Sequence, residues 1–111
     1  MGWADIGQTE MTSTLTRGVK NIAEGLVRTV LDSDGITPKH VEFYSEYGDG
    51  EHKEYMRVYG MKSKFSNLNA RELGRAGIEL VGRDKGRGAH NATFRVTRTK
   101  RKSGKPVFIE R

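Results

Sequence analysis

An α+β fold, with a long N-terminal helix packed on an antiparallel sheet of four to five strands, is what this sequence predicts. Three observations carry that expectation. Leu15, Val19, Ile22, Leu26 and Val30 recur three or four residues apart, the period of one helix face. Residues 40–59, HVEFYSEYGDGEHKEYMRVY, read as two strands meeting at Asp49-Gly50, a preferred pair for a two-residue turn in which both central residues need φ > 0. Residues 92–100, ATFRVTRTK, alternate with Phe94 and Val96 of one parity, the period of a half-buried strand. Two hairpins with a short second helix between them follow.

In chain order, residues 1–11 show no periodicity and are expected to be loosely ordered, with Trp3 as a hydrophobic tether or a partner anchor. A single domain is expected over residues 12–111. Its first helix is predicted over residues 12–32, capped by Thr12, Ser13 or Thr14 and stopped at Asp34-Gly35. Gly18 and Gly25 each cost that helix about 1 kcal/mol relative to Ala, which suggests close approach by a neighbouring element. Asp32-Ser33-Asp34-Gly35 has the start of a calcium loop but no Glu at its twelfth position, so a helix stop is the simpler account.

The hairpin chooses its own register. With Asp49-Gly50 at the tip, Val41 faces Val58, Phe43 faces Met56 and Ser45 faces Glu54 on one side. On the other side Glu42 meets Arg57, Tyr44 meets Tyr55 and Glu46 meets Lys53. Such cross-strand pairs contribute roughly 0.2–1 kcal/mol each, and a one-residue slip would scramble all of them. Thr37-Pro38 offers a competing helix start, with Val41, Tyr44 and Tyr47 three apart, but the density of aromatic and β-branched residues favours strand.

Residues 60–65, GMKSKF, read as a basic connector or a strand continuation. A short helix is predicted over residues 70–76, with Asn69 and Glu72 as a capping box, Leu68 and Leu73 as its staple, and Gly77 as its stop. Residues 78–81 read as a strand, and residues 82–91, GRDKGRGAHN, as a loop. The 92–100 strand then turns at residues 101–104 into a last strand at 106–110, with Val96 placed opposite Ile109.

Composition limits the function classes. Hydrophobic residues make up 34% of the 111, with 14 glycines against 2 prolines, which implies a thin core and many turns. Without cysteine there is no disulfide, thiolate metal site or cysteine nucleophile. No apolar run approaches the ~20 residues of a membrane span, and the N-terminus lacks a signal peptide's pattern, so a cytoplasmic protein with no membrane partner is expected. Net charge is +6, but residues 1–77 hold 10 basic and 11 acidic side chains while residues 78–111 hold 10 basic and 3 acidic. The positive field of that last third points to a polyanion partner.

The candidate site residues follow from that charge. Arg83, Lys85 and Arg87 make the glycine-rich 82–91 loop a basic finger suited to a phosphate backbone; it lacks the P-loop spacing. Lys100, Arg101, Lys102 and Lys105 form a second basic tip, with Arg95 and Arg98 on the strand leading to it. Tyr44, Tyr55 and Tyr59 share a hairpin face with Lys53 and Arg57, the residue mix of a stacking platform for single strands. Glu42 and Glu46 on that face oppose phosphate, and the alternative is burial under the second helix or against a partner subunit.

The histidines His40, His52 and His90 do not converge by sequence, so no metal site is expected. His90-Asn91 shares two letters with the HNH nuclease motif, but no histidine follows. The expected function is non-enzymatic binding of DNA or RNA through phosphate contacts, with little sequence preference, no cofactor and no catalytic residue. One alternative is docking on an acidic protein surface, with a homodimer if the aromatic face is left uncovered. The enzyme alternative is a metal-independent ribonuclease using His90 with Arg83, Arg87 or Glu79.

Overall fold

Seven elements follow one another in the computed structural model of the chain, which describes residues 9–86 and 88–97. They are β1 (Thr9–Thr12), α1 (Arg17–Ser33), β2 (His40–Gly48), β3 (Glu51–Met61), α2 (Asn67–Arg75), β4 (Ile78–Gly86) and β5 (Ala89–Val96). The strands form one sheet in the order β1-β2-β3-β5-β4, with every neighbouring pair antiparallel. Ala23, Val27 and Leu31 of α1 and Leu73 of α2 share a core with Met56, Val58, Ile78, Ala92, Phe94 and Val96. Both helices therefore cover the same face of the sheet. Among the described residues no helix is long and apolar enough to cross a membrane.

The central hairpin has the predicted register throughout, from His40 opposite Tyr59 to Gly48 opposite Glu51. Asp49 and Gly50 at its tip have φ of 53° and 76°, the positive pair that this turn requires. Further along, β3 carries one extra residue between Val58, opposite Ala92, and Met61, opposite His90. Gly60 sits in that bulge with φ +75°, and a Cβ there would lie 2.8 Å from the Cβ of Lys39. Position 60 thus demands glycine twice over, for its backbone angle and for its space.

Several expectations are corrected. The first helix starts at Arg17 rather than residue 12, because Thr16 caps it by accepting from the Val19 N–H at 3.2 Å. Thr9–Thr12 pair instead with Tyr44–Tyr47 as an edge strand, so the fifth described strand comes from the N-terminal side. The second helix starts at Asn67 under a Ser66 cap. Asn69 instead donates to Asp34 Oδ1 at 2.9 Å and Ser33 Oγ at 3.0 Å, which ties the start of α2 to the end of α1. Leu68 is 66% exposed and staples nothing.

The presumed loop at 82–91 is largely strand, paired from Gly82 opposite Thr93 to Gly86 opposite Ala89. Val96 is flanked by Glu54 on one side and Ile78 on the other; with both edges occupied it cannot pair with Ile109. The strand expected at 106–110 lies outside the described residues. Gly18 and Gly25 are both exposed, and a Cβ on Gly25 would meet nothing within 4 Å, so neither marks a close approach.

The two glycines at 25 and 60 should respond to alanine with opposite signs. Gly25→Ala should raise stability by about 0.5–1 kcal/mol, as in any exposed helix interior, and Gly60→Ala should lower it by more than about 1 kcal/mol. Urea unfolding midpoints measure both, and a destabilised Gly25→Ala would show that its surroundings are not open.

Candidate functional site

Two polar clusters occupy opposite faces of the sheet. On the helix side, the parity that buries Ala92 and Phe94 continues along β5 to His90. Leu80 and Arg83 of β4 are three apart and strict alternation would separate them. The bulge between Leu80 and Gly82 instead sets Arg83 opposite Ala92 and Lys85 opposite His90, returning both basic residues to the helix side.

Arg83 is then fixed from three directions. Its guanidinium carbon lies 4.8 Å from the centroid of the Phe65 ring, its Nη2 donates to the Phe65 carbonyl at 3.2 Å, and its Nη1 donates to Asn67 Oδ1 at 3.5 Å. Lys64, from the connection between β3 and α2, joins Arg83, Lys85 and His90 around a cleft of about 280 Å³ whose lining includes Met61 and Phe65. Asp84 is the one carboxylate among the described residues of the lining, and its Oδ1 accepts from Asn91 Nδ2 at 2.7 Å. The cleft is an apolar floor under a cationic rim.

On the open face, Arg57 is the centre. It donates Nη2 to the Tyr44 hydroxyl at 2.8 Å, Nη1 to the Tyr59 hydroxyl at 3.3 Å and Nε to Thr93 Oγ1 at 3.4 Å. The Tyr59 hydroxyl in turn donates to Glu42 at 3.3 Å. The bond to Tyr59 leads the effects that hold the Arg57 pKa above its usual value, against the lowering by burial. Burial pushes the Tyr44 phenol up, with Arg57 opposing.

Tyr44 stacks on Tyr55 with centroids 5.2 Å apart and is 8% exposed. Its ring is taken up by Tyr55 and by Arg57, whose guanidinium carbon is 4.6 Å from the centroid, so Tyr44 offers no free face to a base. Tyr55 and Tyr59 are half-buried. The expected alternative, burial under the second helix, is also corrected, since α2 packs Leu73 into the core on the other side.

The residues grouped by charge in the sequence thus divide. Arg83 and Lys85 face the helix side, while Arg95 lies opposite Tyr55 on the open face. Arg87, Arg98, Lys100, Arg101, Lys102 and Lys105 lie outside the described residues. Lys64 belongs to a stretch that reads in the sequence only as a basic connector, and its place on the rim is set by proximity in three dimensions. Glu79 sits opposite Arg95 at the far end of β4 from His90, so the acid–base pair imagined for a ribonuclease is not assembled from those two.

His52 and His40 belong elsewhere. His40 meets Glu42 at 3.2 Å and stacks on Tyr59, and His52 meets Glu54 at 2.8 Å. Among the described residues no group of three His, Asp or Glu is placed to hold a metal ion. Glu54 also accepts from Ser13 Oγ at 2.8 Å and from the Thr14 N–H at 3.3 Å, so it ties the β1–α1 connection to the sheet. In comparisons with known families, curated proteins and solved structures, nothing matches the chain.

Glu54 supplies a pH dependence. Burial raises its pKa, but the hydrogen bonds from Thr14, Ser13 and Ser45 outweigh burial and hold it below the ordinary 4.5. Its stabilisation is therefore present above the unfolded-state value and is lost as pH falls through the lower folded value. Unfolding midpoints should fall as pH drops below about 4.5, and Glu54→Gln should flatten part of that fall. Asp34, held low by the Ser66 N–H and by Asn69, supplies another part. A variant profile as steep as wild type would locate the acid sensitivity away from Glu54.

Proposed function

We propose that the protein binds DNA or RNA through phosphate contacts in the helix-side cleft between β4, β5 and the β3–α2 connection, with little sequence preference and without catalysis. The observation that carries this reading is the convergence of Lys64, Arg83 and Lys85 around one cleft in which, among the described residues, the single lining carboxylate is bonded to Asn91. Cations gathered on a strand pair and the connection beside it release counterions when they meet a phosphate backbone, which supplies affinity that does not depend on sequence. Arg98, Lys100, Arg101, Lys102 and Lys105 add positive charge to the chain as a whole, which favours its encounter with a polyanion.

The open face is a poorer candidate. Its Arg57 is committed to three hydroxyl groups, and Glu42, Glu46 and Glu79 share its parity and repel phosphate. The polar side chain of Asn91 in the lining is taken up by Gly60 and Asp84, which is why low specificity accompanies the proposal.

Fluorescence anisotropy of labelled DNA and RNA across a salt series, in EDTA, tests the reading. The logarithm of affinity should fall linearly with log salt, and a Lys64→Gln, Arg83→Gln, Lys85→Gln variant should lose affinity and about one unit of slope per phosphate contact removed. Unchanged affinity in that variant would refute the site. RNA recovered intact supports binding without cleavage, whereas cleavage abolished by His90→Ala would establish the ribonuclease instead. Absence of binding at low salt would redirect the basic surface to an acidic protein partner.

A further inference from the structure

Phosphate contact alone leaves one feature of the cleft unused: the Arg83 guanidinium placed over the Phe65 ring. Phe65 is 1% exposed, so no ligand reaches its ring directly. What the cleft presents above Phe65 is the guanidinium, tied to the Phe65 carbonyl and Asn67 Oδ1 through Nη2 and Nη1 and resting on the ring beneath. With one side over that ring and the Arg83 residue itself exposed, the guanidinium offers its other face as a stacking surface for a planar group. Lys64, Lys85 and His90 surround that surface, so the planar group it suits is one carrying negative charge close by.

We propose that the cleft takes one unpaired nucleotide of a single-stranded nucleic acid, its base stacked on Arg83 and its phosphates against Lys64 and Lys85. The proposal rests on the nucleic-acid reading above and narrows it. A cleft of about 280 Å³ falls just below the range of ligand sites, which run from roughly 300 Å³ upward, so it has room for no more than one residue of a strand. A base inside a duplex has neighbours stacked on both faces and cannot offer one to Arg83, whereas an unpaired base can be splayed out. Deoxyribose and ribose strands share the ring and the phosphate, so both are ligands on this chemistry.

Anisotropy at fixed low salt with four probes of about 12 nucleotides, long enough to cover a single-strand site, decides the matter: single-stranded DNA, RNA of the same sequence, duplex DNA, and an abasic DNA strand with the same phosphates. Wild type should bind at least one of the two base-bearing single strands about tenfold tighter than the abasic strand, while duplex, with its denser phosphates and no unstacked base, reports the phosphate contribution alone. A margin confined to DNA or to RNA would identify which source supplies the nucleotide. Arg83→Lys keeps the charge and loses the plane; it should remove the margin while leaving abasic affinity in place. Lys85→Ala should weaken all four probes alike.

Equal binding of base-bearing and abasic strands by wild type overturns the stacking proposal and leaves the phosphate reading intact, and this comparison needs no variant to fold. An Arg83→Lys protein with native circular dichroism that keeps the margin overturns it as well. If no probe binds at low salt, the phosphate reading itself fails and the stacking proposal with it.

Discussion

The register of the central hairpin is the constraint on which the rest of the structure depends. Once Asp49 and Gly50 take positive φ, Phe43 is opposite Met56 and Val41 is opposite Val58, and the core face of β3 is set. Met56 is then opposite Phe94 on its other side, so β5 is placed by the same parity, and β4 by pairing with β5. The helices complete the core from one side only. A slip of one residue at the turn would send Met56 and Val58 to the open face and bring Arg57 under α1.

That hairpin was legible because its two faces pair coherently at once, so the sequence over-determines the register. The ends of α1 and α2 were less legible. Thr12, Ser13 and Thr14 are all good caps, and nothing local says that Thr12 is wanted by the sheet edge and that the hydroxyls of Ser13 and Thr14 are wanted by Glu54, some 40 residues away in sequence. Asn69 was a plausible cap until its side chain was found holding Asp34. In each case a long-range partner outcompeted a local rule.

The site was half legible. Arg83 and Lys85 stand out as charge, but GRDKGRGAHN has the composition of a loop, and its strand character comes from ladder hydrogen bonds to a neighbouring strand rather than from its own side chains. Which face the cations occupy was beyond reach, because the answer turns on the bulge between Leu80 and Gly82. Arg95, though only a few residues along β5 from His90, ends on the other side. Charge counted along a chain does not say which charges share a surface.

The cleft owes its existence to two irregularities on either side of a regular strand. β5 alternates without interruption from His90 to Val96, while β3 and β4 each insert one residue against it, before Met61 and before Arg83. Without the first bulge, Met61 would leave the helix side and the cleft would lose its floor; without the second, Arg83 would join the open face and the rim would lose its fixed cation. The backbone group exposed by the first bulge is also used. Gly60 N–H donates to Asn91 Oδ1 at 3.1 Å, and Asn91 Nδ2 donates to Asp84 at 2.7 Å, so one side chain on β5 links the bulge of β3 to β4. The same contact occupies an oxygen of the carboxylate that stands between Arg83 and Lys85 in sequence. Bulges that re-aim a side chain commonly accompany functional sites, and here the residues they turn inward are those that give the cleft its floor and its charge.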